Sequence, residues 1–276
     1  MLHHVPVTGG TLTVEVVDGD TAPVLAVHGL TSNRKLWSWV AAHGFTLVAP
    51  DLRGRADSAA LTGSSLRQHT DDMVRVLDAL GLDAVTVCGM SMGAYVGVDL
   101  AVRHPDRVRA LVLVDGGLPM PAHAAMTPEL IEAAFAPQLA VLDRTWTPDG
   151  YLAANAAANP LIDPADPLQR AYFAHDLSPD GHRRLDRATV LADARDTVLG
   201  TSPWRSLTVP TWFVHAGWST GPDTPPAYSA QDAAGFRAAL PVLHEPVLIP
   251  EVDHGGTVMT AAGAAVTAGV LTEALR

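Results

Sequence analysis

Ala84-Val85-Thr86-Val87-Cys88-Gly89-Met90-Ser91-Met92-Gly93 is the stretch that decides the fold. A buried-type strand runs straight into a serine flanked at two residues' distance by glycines, and a helix follows to about Arg103, before Pro105. A serine presented at a strand end must take a strained backbone conformation, and side chains two residues to either side would collide with neighbouring backbone. Glycine at both positions removes those collisions, so Gly89 and Gly93 fit a strand–turn–helix elbow with Ser91 at its apex. The helix start aims the Met92 N–H and the helix dipole at the place where an oxyanion would form.

Working outward, Val5 to Val17 reads as a hairpin turning at Thr8-Gly9-Gly10-Thr11, and Val24 to Val27 as a short strand ending at His28-Gly29. Ser32 is the expected N-cap of a helix to about Ala42, and Phe45 to Ala49 is a second buried-type strand. Ser65 to Leu80 is amphipathic, with Met73, Val76, Leu77 and Leu80 on one face and Gly81 closing it. Val108 to Val114 is a sixth strand, ending at Asp115-Gly116-Gly117. From about Leu118 to Trp204 the strand rhythm stops, and helices are expected at Glu129–Leu142, Gly150–Ala158, Pro167–Leu177 and Leu185–Leu199. Strands resume at Thr211–Ala216 and Glu245–Ile249, with helices at Ser229–Leu240 and about Thr257–Leu275. Short apolar runs alternating with helices predict an α/β protein whose mostly parallel sheet is covered on both faces. Its core is expected in two parts, residues 1–117 and 205–276, separated by a helical insertion over 118–204.

At 276 residues the chain is long enough to bury a core without staples. Its 48% hydrophobic and 17% charged content excludes a disordered chain or coiled coil. A net charge of −11 with a single lysine, Lys35, argues against nucleic acid or an anionic membrane as partner. Cys88, the lone cysteine, reads as a small buried hydrophobe. The absence of a secretory-type start and of a long apolar stretch sets the expectation of a cytoplasmic protein. A homo-oligomer is compatible with the sequence.

The elbow, together with two further segments, resembles the α/β-hydrolase family, and the resemblance covers nearly the whole chain. His28-Gly29-Leu30-Thr31 is similar to that family's oxyanion segment, which implies Leu30 N–H as a second donor beside Met92. Asp51-Leu52-Arg53-Gly54-Arg55-Ala56-Asp57-Ser58 is similar to its D-x-R-G-x-G-x-S loop, with Ala56 in place of the second glycine and with Asp51 and Arg53 holding the loop. The resemblance implies an eight-stranded sheet and makes the 118–204 insertion the cap. Ser91 stands where haloalkane dehalogenases and epoxide hydrolases carry aspartate, which disfavours both chemistries.

A serine nucleophile needs a base near pKa 7. His254, in a glycine-flanked loop after the last strand, occupies the position the family uses for its histidine. His28 is expected to orient the oxyanion loop, His215 to sit near the site on a strand end, and His3, His4, His43, His69 and His104 to lie at the surface or at helix ends. Two aspartates compete for the acid. The usual loop after the seventh strand offers Ser219 or Thr220 where aspartate is expected, with Asp223 a few residues late. Asp115, after the sixth strand, is where some thioesterases and lactonases of the family carry theirs, and it is placed first here. Both loops leave the same sheet edge and either can reach the histidine. With no H-E-x-x-H or C-x-x-C pattern, neither metal nor cofactor is expected. The function implied is hydrolysis of a carboxylic ester or lactone of a small, largely apolar substrate through an acyl-enzyme. Thioester or C–C bond hydrolysis, acyl transfer or cyclisation, and small-molecule binding with little turnover are the alternatives.

Overall fold

A computed structural model describes residues 1–222 and 224–276. Strands β1 (Leu2–Val7) and β2 (Gly10–Val17) form the N-terminal hairpin, followed by β3 (Val24–Val27). A 3-10 turn, Arg34–Trp37, leads into the single-turn α1 (Ser38–Ala41) and then β4 (Leu47–Pro50). The cap of that turn is Asn33, whose side chain accepts from Lys35 N–H at 2.9 Å; Ser32, the expected cap, instead bonds the Tyr172 hydroxyl at 3.0 Å. Next come α2 (Leu66–Ala79), capped by Ser65, then β5 (Val85–Met90), α3 (Met92–Arg103) and β6 (Val108–Val114).

Four helices follow: α4 (Pro128–Ala140), α5 (Pro148–Ala158), α6 (Pro167–His175) and α7 (Arg187–Leu199). Between β6 and β7 (Thr211–Ala216) the described residues form only isolated bridges and no strand. The chain closes with α8 (Ala230–Ala239), β8 (Val247–Ile249), α9 (Gly256–Met259) and α10 (Ala261–Ala274). The last two were expected as one helix. They part at Thr260, which is extended at φ −123° and turns its hydroxyl to cap Gly263 N–H at 3.0 Å.

The eight strands form one sheet in the order β1-β2-β4-β3-β5-β6-β7-β8, antiparallel in its first two pairings and parallel in the rest. Alternate residues leave opposite faces. Leu25, Val27, Val87, Leu111 and Phe213 join the core under α2, α3 and α8, whereas Val24, Ala26, Cys88, Val112 and Val214 join the core under α1 and α10. Strand order reverses between β3 and β5, and in an open α/β sheet ligands bind beyond the carboxyl ends at such a point. Among the described residues, no helix is long and apolar enough to cross a membrane.

The layer α4–α7 is tied to the sheet's loops by buried polar contacts. Asn33 Nδ2 donates to Asp176 at 2.7 Å, Trp39 Nε1 to Asp166 at 2.9 Å, and Gln169 Nε2 to the Met259 carbonyl at 3.0 Å. Asp193 of α7 takes Arg55 Nη1 at 2.5 Å and His69 Nε2 at 2.9 Å, all three side chains being fully buried. His69 lies in the first turn of α2, a helix end as expected, but it is buried rather than at the surface, and its partner lies 124 residues away in sequence. Ala56 sits at φ +44°, the left-handed region that the family's glycine would occupy without cost.

Candidate active site

Ser91 stands at φ +56°, ψ −123°, between β5 and α3. A Cβ on Gly89 would overlap the Gly93 carbonyl, and one on Gly93 the Val27 carbonyl, so Gly89 lets the turn close on itself and Gly93 lets it pack against β3. Met92 N–H, in the first turn of α3, has no carbonyl within the helix to bond.

Beside it, the oxyanion-type loop is set by His28. Its Nε2 accepts from Leu52 N–H at 3.0 Å, so the proton lies on Nδ1, which donates to the Gly29 carbonyl at 2.8 Å. That carbonyl and Leu30 N–H belong to one trans peptide, so anchoring the first turns the second the opposite way. Burial pushes His28 down to about 4, with the Asp51 charge opposing, so the neutral tautomer persists at ordinary pH. Arg55 Nε holds the Leu30 carbonyl at 2.9 Å from the other side.

Asp115 follows β6 with φ +47° and is fully buried. Its Oδ1 accepts from Ala216 N–H at 3.1 Å, and its Oδ2 takes His254 Nδ1 at 2.6 Å. The next residue, Gly116, escaped the sequence reading. A Cβ there would overlap the Ser91 carbonyl, so only glycine lets the Asp115 turn lie against the elbow. Its signal was present in the pair Gly116-Gly117 directly after a strand.

His254 sits after β8, its N–H on the Ser219 carbonyl at 3.3 Å and its carbonyl held by Thr257 Oγ1 at 2.8 Å. With Nδ1 committed to Asp115, the imidazole's other nitrogen is left for chemistry; the side chain is 35% exposed. Burial lowers its pKa, but the hydrogen bond and charge of Asp115 and the charge of Asp253 prevail and raise it above 6.5. Asp223, the alternative acid, lies outside the described residues. Ser219 borders the cavity, and its N–H and that of Thr220 are taken by Thr224 Oγ1.

Leu30, Ser91, Met92, Asp115 and His254 all line one cavity of about 400 Å³. Phe135 of α4 and His123, neither singled out as a contact from sequence, also line it; burial pushes His123 below its ordinary value. His215 is buried on β7 and stacks on Phe213 at 5.4 Å. Asp51 and Arg53 hold their loop: Asp51 accepts from Arg34 N–H and pairs with its guanidinium, and Arg53 grips Asp72 at 2.5 and 2.9 Å. Asp51, Asp57 and His175 are close enough together to hold a metal ion, but Arg34 and Arg184 already neutralise both carboxylates, leaving little to attract a cation.

The sequence profile described as "alpha/beta hydrolase fold" matches residues 22–211. A lipase of Mycobacterium tuberculosis is 35% identical over 96 residues, which cover 34% of this chain and 37% of the lipase. The chain spans little more than a third of the length of that lipase and of other curated relatives it matches. Among solved structures, E-2-(acetamidomethylene)succinate hydrolase superposes with a TM-score of 0.78 at 24% identity, covering 99% of this chain and 98% of that one. A thioesterase domain from the curacin biosynthetic pathway superposes with a TM-score of 0.74 at 19% identity, covering 99% of both. At these identities the two structures speak to fold alone.

Proposed function

Because this chain belongs to the α/β-hydrolase fold family, we propose that it is a serine hydrolase acting on a carboxylic ester or lactone through an acyl-enzyme. The observation that carries this reading is the 2.6 Å contact between buried Asp115 and His254 at the mouth of a cavity that Ser91 also lines. His254, held by Asp115 in the tautomer with Nδ1 protonated, takes the Ser91 proton as the hydroxyl attacks the carbonyl. The N–H groups of Leu30 and Met92 receive the oxyanion, and His254 returns the proton to the leaving group. Water then repeats the sequence on the acyl-enzyme. Serine rather than aspartate at position 91 favours acyl chemistry over displacement at an sp³ carbon. Residues 118–204 act as the cap that roofs the cavity, in keeping with Phe135 and His123 on its wall.

The test is intact mass after treatment with a fluorophosphonate, on the wild type and on Ser91→Ala, Asp115→Asn and Asp223→Asn. One adduct, absent in Ser91→Ala and slowed in Asp115→Asn, is expected. A folded wild type that takes no adduct, although small esters reach its cavity, overturns the reading.

A further inference from the structure

A second chamber of about 540 Å³ opens off the first, sharing Thr31, Gln138, Tyr172, Gly255 and Met259 with it. Trp146, Tyr151, Tyr172 and Phe173 form an aromatic cluster on its wall. Tyr151 and Phe173 meet edge-on at 5.7 Å, Tyr172 and Phe173 at 5.1 Å, and Trp146 tilts against Tyr151 at 5.5 Å. The polar tips of these rings are already spent on protein: Tyr151 hydroxyl on Asp176, Tyr172 hydroxyl on Ser32, and Trp146 Nε1 on the Val141 carbonyl. What they offer a ligand is fixed π surface, which favours a flat ring in offset or edge-to-face contact.

Asn155, Asn159 and Asp253 also line the chamber, and Arg183 brings a guanidinium to it. Its side chain is 8% exposed and lines the chamber, with the guanidinium 5.9 Å from the centre of the Tyr151 ring. Nε donates to Asp176 at 3.2 Å and Nη2 to the Thr31 carbonyl at 2.6 Å, whereas Nη1 has no protein partner among the described residues. That leaves Nη1 as a charged donor free for a ligand in the chamber. Asp176 cancels the charge of Arg183 and already accepts from Asn33, Tyr151 and Arg183, so a second carboxylate would be repelled and a neutral acceptor suits the place.

We propose that this chamber holds an aromatic acyl arm of the substrate, whose neutral carbonyl-type oxygen on the ring accepts from Arg183 Nη1. The proposal rests on Ser91 being the residue acylated, since it places the scissile carbonyl in the first cavity and the ring in the second. Three esters separate the contributions: p-nitrophenyl acetate, p-nitrophenyl 4-(4-acetylphenyl)butanoate, and the 4-ethylphenyl analogue that lacks the acceptor. The acetylphenyl ester should exceed the ethylphenyl ester in kcat/KM by about tenfold, the worth of a hydrogen bond to a charged donor. Arg183→Met should bring that ratio to about one, whatever it does to the overall rate through Thr31. Ala154→Phe, which narrows the chamber, should lower both aryl esters about tenfold or more relative to acetate. Calorimetry of 4-(4-acetylphenyl)butanamide with Ser91→Ala protein reads the chamber without chemistry, and Ala154→Phe should weaken that binding. Acetate hydrolysis with neither aryl preference nor amide binding overturns the chamber. Amide binding that Ala154→Phe weakens, in a protein whose Ser91 never labels, supports the chamber and overturns the hydrolase reading.

Discussion

Replacing Asp115 by asparagine separates charge and tautomer from backbone, because asparagine tolerates the φ of +47° better than other side chains. Asp115 offers two acceptors to two donors: Oδ1 to Ala216 N–H at 3.1 Å and Oδ2 to His254 Nδ1 at 2.6 Å. Asparagine has one acceptor. Ala216 N–H is buried in β7 and cannot turn away, so the amide oxygen stays with it and the NH₂ group faces His254. Nδ1 must then accept, the imidazole proton moves to Nε2, and the base is in the wrong tautomer. The expected loss in kcat is about 10³- to 10⁴-fold, or roughly 4–5 kcal/mol of barrier, as in the serine-protease template. The assay is p-nitrophenyl acetate hydrolysis on the pH plateau, with urea unfolding to show that the variant is folded. A variant within about threefold of wild type would refute the reasoning, as would an equal loss confined to Asp223→Asn.

The raised pKa of His254 should place the acid limb of kcat/KM above the ordinary imidazole range, activity being lost as pH falls through it and the base protonates; Asp115→Asn should move that limb to lower pH, and an unmoved limb contradicts the assignment. Burial alone would raise Asp193, but His69, Arg55 and Ser64 bring it down to about 2, so its contribution to stability is present above about pH 4 and is lost as pH falls through 2. Asp193→Asn should flatten that decline and cost about 3–5 kcal/mol at pH 7 by leaving Arg55 buried and unpaired, measured by urea unfolding against pH. Gly93→Ala should cost more than about 3 kcal/mol or fail to fold, because its Cβ meets the Val27 and His28 carbonyls. Gly235→Ala, in open space within α8, should instead raise stability by about 0.5–1 kcal/mol, both read as midpoints of unfolding.

The features legible in the sequence were those fixed locally. Glycines 89 and 93 announce the elbow because the clash they avoid involves the adjoining turn and the neighbouring strand, and β6 and β7 read to the residue because they are continuous apolar runs. Ser32 and Asn33 are both good caps, and the choice fell to Asn33 once Tyr172 claimed the Ser32 hydroxyl from 140 residues away. The same remoteness hid His69, whose burial depends on α7, and the aromatic chamber, which draws on α4, α5, α6 and α9 and on loops beside them. Asp115 and Asp223 competed on paper because both loops leave one sheet edge; the 2.6 Å contact of Asp115 is a property of the folded sheet that spacing does not encode.

The ties between the helical layer and the sheet bear on timescale. Asp166, Asp176, Gln169 and Asp193 pin α6 and α7 to widely separated loops, so the layer has no single hinge about which to swing. The side-chain ties of α4 reach only α7 among the described residues, through Arg187 and Arg195, and its Leu130 is half exposed. Of the four helices, α4, which carries Phe135, is the one least tied to the sheet by polar contacts. Local unfolding of such a helix belongs to the microsecond-to-second range. Amides 128–140 should then exchange with solvent before those of α6.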